Sequence, residues 1–272
     1  MDQAATGSTL IRPISLIRVR FCELSHPPKL PLAPASPRPI PCDRGTETRG
    51  YAPIYIPAMR LESVQVGSVR TYGTAGAANP LDRPWTSAIR KEPVAGPVWA
   101  GREGLSGDQQ YDRQGHGGPD RALLMYAADH YPRWRTEWNR KDVAPGGFGE
   151  NLTVSGINED IACLGDIYGI GEVRVEVSSP RSPCQNLSRR HGIPDLVKVI
   201  TQNHRSGWYL RVLHEGWVEA GMPVALLDRP YPQWTVRRTA MVRRLRLDLP
   251  EEARLLAACP ALQDEWRRKL AG

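Results

Sequence analysis

A cysteine in a proline-rich loop is the residue of this chain best suited to chemistry. The segment Ser178–Leu187 reads SSPRSPCQNL, and it places Cys184 three residues after Arg181. A nearby guanidinium favours the thiolate, which is the form that attacks electrophiles or ligates soft metals. The local sequence leaves two interpretations open: a half-buried structural cysteine beside a turn, or a reactive thiolate.

An alternating run leads into this loop. Valines occupy every second position of Glu172–Val177, EVRVEV, which is the period of a half-buried strand. Pro180 and Pro183 stiffen the segment that follows. The sequence therefore predicts a strand that delivers a stiff loop carrying Cys184.

The segment 116–121, HGGPDR, is one of three glycine-containing polar segments that could surround this cysteine. Gly118 lies in a Gly-Gly pair, which lets backbone amides approach an anion closely. Arg121 can clamp a phosphate or carboxylate through two hydrogen bonds. His116 and Asp120 add groups for hydrogen bonding or proton transfer. The alternative is a surface turn with an Asp120–Arg121 pair.

The other two segments are 104–108, GLSGD, and 146–152, GGFGENL. Asp108 can accept hydrogen bonds from heterocyclic N–H groups, and Asn151 can recognise a donor–acceptor edge through its amide. Glu150 is either a proton carrier or a capping group. A simple turn is the alternative for both segments.

The chain carries a net charge of +7 over 272 residues, and its pI is about 9.3. This balance suits an anionic small ligand, such as a phosphorylated cofactor, as well as it suits nucleic acid. The central part has no basic run interleaved with aromatic residues, which argues against a nucleic-acid-binding protein. No apolar run approaches the length of a membrane-spanning helix, which argues against a membrane protein.

The five cysteines are scattered and never form a CxxC pair. This pattern argues against a disulfide framework, a structural zinc site and an iron–sulfur cluster. If the protein carries out redox chemistry, its electrons must therefore arrive from another protein. A reducing cytosol fits this cysteine usage, so we expect a cytoplasmic protein.

Short strands separated by glycine and proline turns dominate residues 59–230. Their close spacing predicts a mainly β barrel or sandwich built from Leu61–Arg70, Ser87–Lys91, Val94–Trp99, Ala122–Tyr126, Asn151–Val154, Asp166–Ile170, Glu172–Ser178, Gly207–Leu213 and Pro223–Leu227. Helical insertions are predicted over Ala127–Asn139 and Pro194–Gln202. Residues 231–272 predict a small C-terminal helical region whose arginines form a solvated face.

Residues 1–58 are rich in proline and show little sustained periodicity, which predicts a mostly disordered extension. Met59 follows directly and opens a predicted strand. We therefore expect Met59 to be the natural start. The preceding residues would then result from a start codon assigned too far upstream, or they would form a dispensable tail.

Six motifs follow one another as GLSGD (104–108), HGGPDRA (116–122), FGENL (148–152), CLGD (163–166), PRSPC (180–184) and SGWYLRVL (206–213). In this order they resemble the MOSC domain, which is named for the C-terminal part of molybdenum-cofactor sulfurase. Within that family the chain resembles the stand-alone bacterial branch related to 6-hydroxylaminopurine reductase. The resemblance covers about Leu61 to Leu227.

This resemblance implies a MOSC-type β-barrel and a pterin-based molybdenum cofactor, molybdopterin, whose metal is ligated by Cys184. His116 would supply protons, and Arg211 is a further candidate for the site. The phosphate of the pterin would bind Arg121, Arg181 and the Gly-Gly backbone amides. The cofactor-binding residues as a whole would be Asp108, Gly118, Asp120, Arg121, Asn151 and Arg181.

The activity that the resemblance implies is the reduction of N-hydroxylated bases and related compounds to amines, a detoxification reaction. The oxygen leaves as water after the transfer of two electrons and two protons, and a separate flavoprotein supplies the electrons. Two alternatives stay open. One is a cofactor carrier or sulfur-transfer module that uses Cys184, and the other is a non-catalytic β-barrel binding protein.

Overall fold

In the computed structural model, which describes residues 58–113 and 117–271, short strands close into a barrel. The strands are β1 Met59–Val66, β2 Arg70–Tyr72, β3 Trp85–Ser87, β4 Glu92–Pro93, β5 Val98–Gly101, β6 Gly104–Leu105, β7 Leu123–Ala127, β8 Leu152–Ser155, β9 Ile167–Ile170, β10 Val173–Pro180, β11 Trp208–His214, β12 Gly216–Val218 and β13 Pro223–Asp228. The α-helices are α1 His130–Trp138, α2 Gln185–His191, α3 Leu196–Asn203, α4 Val236–Arg244, α5 Pro250–Ala257 and α6 Asp264–Ala271. Short 3-10 turns occur at Pro80–Asp82 and Pro119–Arg121.

Seven strands pair in a closed ring, in the order β1, β8, β7, β11, β10, β9 and β13, and β13 returns to β1. The β7–β8 pair is parallel and the other six pairs are antiparallel. β4 pairs with the end of β1, and β5, β6 and β12 form a separate small sheet. Closing the ring leaves no free edge on the barrel. The mainly β, barrel-like fold predicted from the sequence is confirmed.

Alternation along the strands decides which side chains fill the barrel. Val173, Val175 and Val177 of β10 are fully buried, and so are Leu123 and Met125 of β7. Every second side chain of a strand points to the same face, so these residues all face the interior. Burying each side chain contributes roughly 1.5 to 3 kcal/mol, which makes this interior the main source of stability.

A second hydrophobic cluster packs on the other side of the barrel wall. Its centre is Phe148, which stacks on Tyr126 of β7 with the ring centroids 4.6 Å apart. Helix α1 adds Tyr131 and Trp134, and α2 adds Leu187. The cluster therefore anchors α2, and with it the loop that precedes this helix.

Helices α4 to α6 share the core of the barrel. Val242, Leu256 and Trp266 belong to the same buried cluster as the barrel interior. The backbone N–H of Gln263 donates to the carbonyl of Ser178 over 3.0 Å, which ties the segment between α5 and α6 to β10. The C-terminal region is thus helical, as the sequence predicts, and the division of the chain near residue 230 stays a prediction.

Several strand boundaries differ from the prediction. The predicted strand Val94–Trp99 is wrong over residues 94–97, which are irregular, and β5 begins only at Val98. The predicted strand Leu61–Arg70 ends at Val66, and β2 begins at Arg70.

Two further differences have identifiable local causes. β10 continues to Pro180, where the sequence predicts a loop, because a register shift lets Ser179 and Pro180 pair with β11. Proline is tolerated at such a strand end. The predicted strand Ser87–Lys91 is wrong beyond Ser87, because side chains bind the backbone there. The Ser87 hydroxyl accepts from Ile89 N at 3.1 Å, and Arg190 donates to the Ile89 carbonyl.

Helix α2 was not expected from the sequence. Its seven residues are too few to show a helical period, and its Leu187 is buried only because the Phe148 cluster lies beside it. The short strands β2, β6 and β12 also carry too few residues for a periodic signal. Only the packing around them makes these elements stable.

Residues 1–57 and His116 lie outside the described residues, so the structure does not test the predicted disorder or the proton-donor role. β1 begins at Met59, close to the predicted strand start. Among the helices of the described ranges, none has the length and apolar character needed to cross a bilayer.

Candidate functional site

A row of side chains crosses the outer face of the barrel wall at β8, β7 and β11. Leu124 pairs with Tyr209 across the β7–β11 ladder. Asn151, just before β8, lies beside Leu124 and exchanges two hydrogen bonds with it, of 2.8 and 3.1 Å. Their neighbours Leu123 and Leu210 point into the barrel core, so alternation turns this row outward.

A pocket opens over this row, and loops carry its other walls. The side chains that give it chemical character are Lys91, Arg121, Asn151, Arg181, Cys184 and Tyr209. Lys91, Arg121, Asn151 and Arg181 each lie beside a strand end, and Tyr209 lies within β11, so strand pairing sets their positions. Four residues named from the sequence therefore meet in one pocket: Arg121, Asn151, Arg181 and Cys184.

Cys184 sits half-buried in this pocket, at the start of α2. The Cys184 carbonyl accepts from Leu187 N at 3.0 Å, which begins the helix. Upstream, Arg181 N donates to the Gly207 carbonyl over 3.0 Å, which holds the loop against β11. Gly207 has a φ of +76°, and a Cβ there would collide with the Met125 carbonyl. The glycine thus permits the close approach that fixes the cysteine loop.

Lys91 reaches the pocket through a buried charge network. Its ammonium pairs with Asp108, and the two side chains are 8% and 2% exposed. Asp108 also accepts from Gly67 N at 2.8 Å and from the Asn151 amide at 2.9 Å. Burial lowers the pKa of Lys91, although the Asp108 charge opposes that shift. Asp108 does not line the pocket but holds Lys91 and Asn151 in place, and its cofactor-binding role stays a prediction.

Arg121 belongs to the same pocket and is held from the C-terminal region. Its guanidinium pairs with Glu265 of α6, and it lies over the Tyr209 ring with 5.6 Å to the centroid. Burial raises the pKa of Tyr209, so its phenol stays protonated at neutral pH. The cation on the barrel is thus oriented by a carboxylate 144 residues away.

Arg181 has unused hydrogen-bonding capacity. Its side chain is 5% exposed, yet Nε and Nη1 make no hydrogen bond within the described part of the chain. A buried guanidinium in that state is costly, and an anion in the pocket would satisfy it. This arginine is the strongest indication that the pocket binds an anionic group.

The remaining predicted residues lie elsewhere. The Asp120 carboxylate pairs with Arg211 at 2.5 Å, and Arg211 also pairs with Glu176 at 2.9 Å. Neither Asp120 nor Arg211 lines the pocket, and Gly118 does not line it either. Their cofactor-binding roles stay predictions.

Lys91 and Tyr209 line the pocket, but the sequence did not single them out. Tyr209 had a usable signal: in the run Trp208 to Val212 the apolar residues alternate, so Tyr209 and Arg211 fall on the outer face. Lys91 had no such signal, because it lies in an irregular segment and only its burial reveals its role.

Glu150 and Cys163 are structural. The fully buried Glu150 carboxylate accepts from Gly146 N at 2.7 Å, Phe148 N at 3.0 Å and the Thr153 hydroxyl at 3.0 Å. It therefore caps the glycine turn, one of the two roles that the sequence leaves open. Burial raises the pKa of Cys163 to about 11, which keeps that thiol protonated and unreactive.

The pocket combines one thiol with three buried cationic side chains and one exposed carboxylate, that of Asp112. Within the described ranges, no group of three or more His, Cys, Asp and Glu side chains could hold a metal ion. A metal bound at Cys184 must therefore bring other ligands with it. The arrangement suits a metal-bearing ligand that is also an anion.

Comparison with known proteins identifies the domain and its relatives. The family model "MOSC domain" matches residues 112–225. Protein YiiM of Escherichia coli is 36% identical over 187 residues, which are 68% of this chain and 83% of YiiM. A protein named "Reductase" from Gibberella moniliformis is 41% identical over 182 residues, covering 65% of this chain but only 31% of that protein. YflK of Bacillus subtilis is 41% identical, covering 53% of this chain and 64% of YflK.

Solved structures agree with these relatives. YiiM from Geobacillus stearothermophilus superposes with a TM-score of 0.65 at 34% identity, covering 78% of this chain and 97% of that one. YiiM from Escherichia coli gives a TM-score of 0.59 at 29% identity, covering 75% and 89%. Sequence and fold thus point to the same relatives, and the chain belongs to the MOSC domain family.

Proposed function

We propose that this protein is a molybdenum-cofactor-dependent reductase that converts N-hydroxylated bases and related compounds to amines. The observation that carries the proposal is the half-buried thiol of Cys184 in one pocket with Arg181, two of whose buried nitrogens have no hydrogen-bond partner in the described part of the chain. The association of MOSC domains with molybdenum cofactor and the name of the Gibberella relative support it.

The residues present fit such a cofactor. A thiolate is a good ligand for a soft metal ion, and Cys184 would contribute one ligand to a metal that the pterin already holds. Arg121 and Arg181 would bind the phosphate, since guanidinium groups form paired hydrogen bonds with phosphate oxygens. Asn151 has both its amide groups bonded within the protein, so we assign it to pocket shape.

When bound, the cofactor supplies the two-electron redox chemistry. The overall reaction takes R–NHOH, two electrons and two protons to R–NH₂ and water. Burial lowers the pKa of Lys91, so this residue releases a proton more readily than a surface lysine does. We assign Lys91 as a proton donor, and His116 stays a prediction for the same role. A separate flavoprotein would provide the electrons.

Replacement of the cysteine tests the metal assignment. We expect Cys184→Ala, purified from a host that makes the cofactor, to lose molybdenum by at least about tenfold relative to the parent protein. Cys259→Ala is the matched control, because Cys259 is a buried thiol of the C-terminal region that does not line the pocket. Molybdenum is measured by plasma mass spectrometry. Equal metal content in parent and Cys184→Ala would contradict the assignment.

Turnover tests the activity separately. The loaded protein should reduce 6-hydroxylaminopurine in the presence of a chemically reduced dye, and the amine product is quantified by chromatography. If the protein holds molybdenum but gives no product, the cofactor-carrier alternative replaces the reductase. If persulfide sulfur is found on Cys184 without molybdenum, sulfur transfer replaces the reductase activity as the proposed function.

A further inference from the structure

A second cavity lies next to the Cys184 pocket, between the cysteine loop and the C-terminal helices. Its volume is about 490 Å³. The loop 181–183 forms one wall, the end of α3 forms another, and α4 and α6 close the remaining sides. Arg181 lines this cleft as well as the pocket, so it forms part of the boundary between them.

The cleft has a strongly cationic lining. Its basic side chains are Arg181, His204, Arg243, Arg244, Arg246 and Lys269, and no carboxylate is found among the described residues that line it. Hydroxyl groups of Ser182, Thr201 and Ser206 lie on the same walls. Guanidinium, ammonium and hydroxyl groups around one concave space are the donors that bind phosphate oxygens.

Several of these cations are held in place by other contacts. Arg243 donates to the Ser182 hydroxyl over 2.8 Å, and its guanidinium lies 4.2 Å from the centre of the Trp266 ring. Burial lowers the pKa of Arg243, a sign of the poor solvation that an anion would relieve. Lys269 pairs with Glu265, whose other oxygen pairs with Arg121 of the pocket. The cleft and the pocket are therefore joined by one carboxylate and by Arg181.

Size distinguishes the two cavities. The Cys184 pocket encloses about 100 Å³, whereas sites for whole small-molecule ligands usually enclose at least about 300 Å³. A cofactor-sized ligand that reaches Cys184 must extend out of that pocket. The cleft is large enough for a phosphate ester, and the buried Arg181 guanidinium, with unused donors, borders it.

We propose that this cleft is a phosphate-ester-binding site formed by Arg243, Arg244, Arg246 and Lys269 together with Arg181. The phosphate comes either from the end of a cofactor anchored at Cys184 or from a separate phosphorylated ligand. The site itself does not depend on the proposed reductase activity. It gives the C-terminal helices a binding role, whereas the sequence predicts only a solvated arginine face.

Titration of the cofactor-free protein with inorganic phosphate tests the site. Burial, together with the charges of Arg237 and Arg244, lowers the pKa of His204. A bound dianion would raise it again, so saturable phosphate binding should move the His204 titration, followed by NMR, to higher pH. Sodium chloride at matched ionic strength should leave it unchanged, and a shift that merely follows ionic strength would overturn the proposal.

The charge-reduced variant Arg244→Gln/Arg246→Gln removes two exposed cations of the cleft, so it should fold normally. We expect phosphate affinity to fall at least about tenfold, because each replaced arginine loses a charge-assisted hydrogen bond to the anion. Arg254→Gln/Arg268→Gln removes the same charge from exposed positions outside the cleft and should change affinity less than about twofold. Equal phosphate affinity in the two double variants would overturn the proposal that the cleft binds phosphate.

Two further samples identify the source of the phosphate. If cofactor-loaded protein no longer binds inorganic phosphate, the cofactor's own phosphate fills the cleft. If loaded protein binds phosphate and AMP as the cofactor-free protein does, the ligand is separate. Cys184→Ala should keep phosphate binding while losing molybdenum, which separates failure of the site from failure of the proposed function. Loss of phosphate binding in Cys184→Ala would show that the anion binds in the Cys184 pocket, and it would overturn the proposal that the cleft binds phosphate.

Discussion

At the scale of single residues, the pocket is organised by carboxylates that bind its cations. Asp108 accepts from Lys91, Asn151 and the backbone of Gly67, and almost none of this network is exposed. Glu265 plays the corresponding role for Arg121. Arg181 differs, because two of its nitrogens have no partner in the described ranges. Arg181 is thus the cation of the pocket whose remaining N–H donors can bind a ligand.

The Lys91–Asp108 pair gives a prediction about stability. Asp108→Asn leaves the Lys91 ammonium buried without its counter-charge, so the free energy of unfolding should fall by about 3 kcal/mol. Lys91→Met should also destabilise, because it leaves the Asp108 carboxylate buried. The double variant should lose clearly less than the sum of the two single losses, as measured by urea denaturation. Additive losses would show that the two side chains are not coupled.

At the scale of elements, the glycine turn 146–149 and α2 hold each other in place. The Glu150 carboxylate caps the turn by accepting from Gly146 N at 2.7 Å and from Phe148 N at 3.0 Å. His191, at the end of α2, contacts the Gly147 carbonyl through Nε2 at 2.8 Å and packs on Phe148 and Trp138. Since α2 starts directly after Cys184, this packing also fixes the cysteine.

His191 makes the fold sensitive to acid. Burial lowers the pKa of His191 from 6.5 to about 4, so the unfolded chain binds a proton that the folded chain excludes between these values. Its contribution to stability is complete above pH 6.5 and is lost as the pH falls toward 4. The loss is at most roughly 3 kcal/mol.

Urea denaturation across that pH range measures this effect. We expect the parent protein to lose more stability than His191→Gln between pH 6.5 and 4, because glutamine keeps a donor for the Gly147 carbonyl but does not titrate. Parallel curves for the two proteins would show that another group causes the acid sensitivity.

At the scale of the whole molecule, the barrel and the C-terminal helices form one hydrophobic core. The cluster that fills the barrel continues without a break into Val242, Leu256 and Leu262. Polar contacts follow the same path, since Arg211 of β11 donates to the Ala261 carbonyl over 2.8 Å. We therefore expect residues 59–271 to unfold in one cooperative transition.

Truncation of a shared core residue tests this cooperativity. Leu262 is fully buried, so Leu262→Ala should lower the free energy of unfolding by about 2 to 5 kcal/mol while circular dichroism and fluorescence still report one coincident transition. Leu255→Ala is the matched control, because Leu255 is 54% exposed and should change stability by less than about 0.5 kcal/mol. Two separate transitions would indicate that the helices fold independently of the barrel.

Much of the architecture could be predicted because it depends on local periodicity. The valines of β10 alternate, and they are buried as that alternation requires. The spacing of Arg181 and Cys184 placed both in one loop, and the structure places both in one pocket. Helix α2 could not be predicted, because it depends on contacts with Phe148 and not on its own seven residues.

The sequence by itself determined the barrel strands, the order of the motifs and the residue most suited to bind a metal. Only the tertiary structure decided which side chains surround Cys184, and it assigned Asp108 and Glu265 to holding other residues. The physical reason is that an ion pair depends on the distance between two side chains in the folded protein, and not on their spacing in the sequence. Glu265 reaches Arg121 only because the barrel closes and α6 packs on it. No local sequence pattern predicts this ion pair.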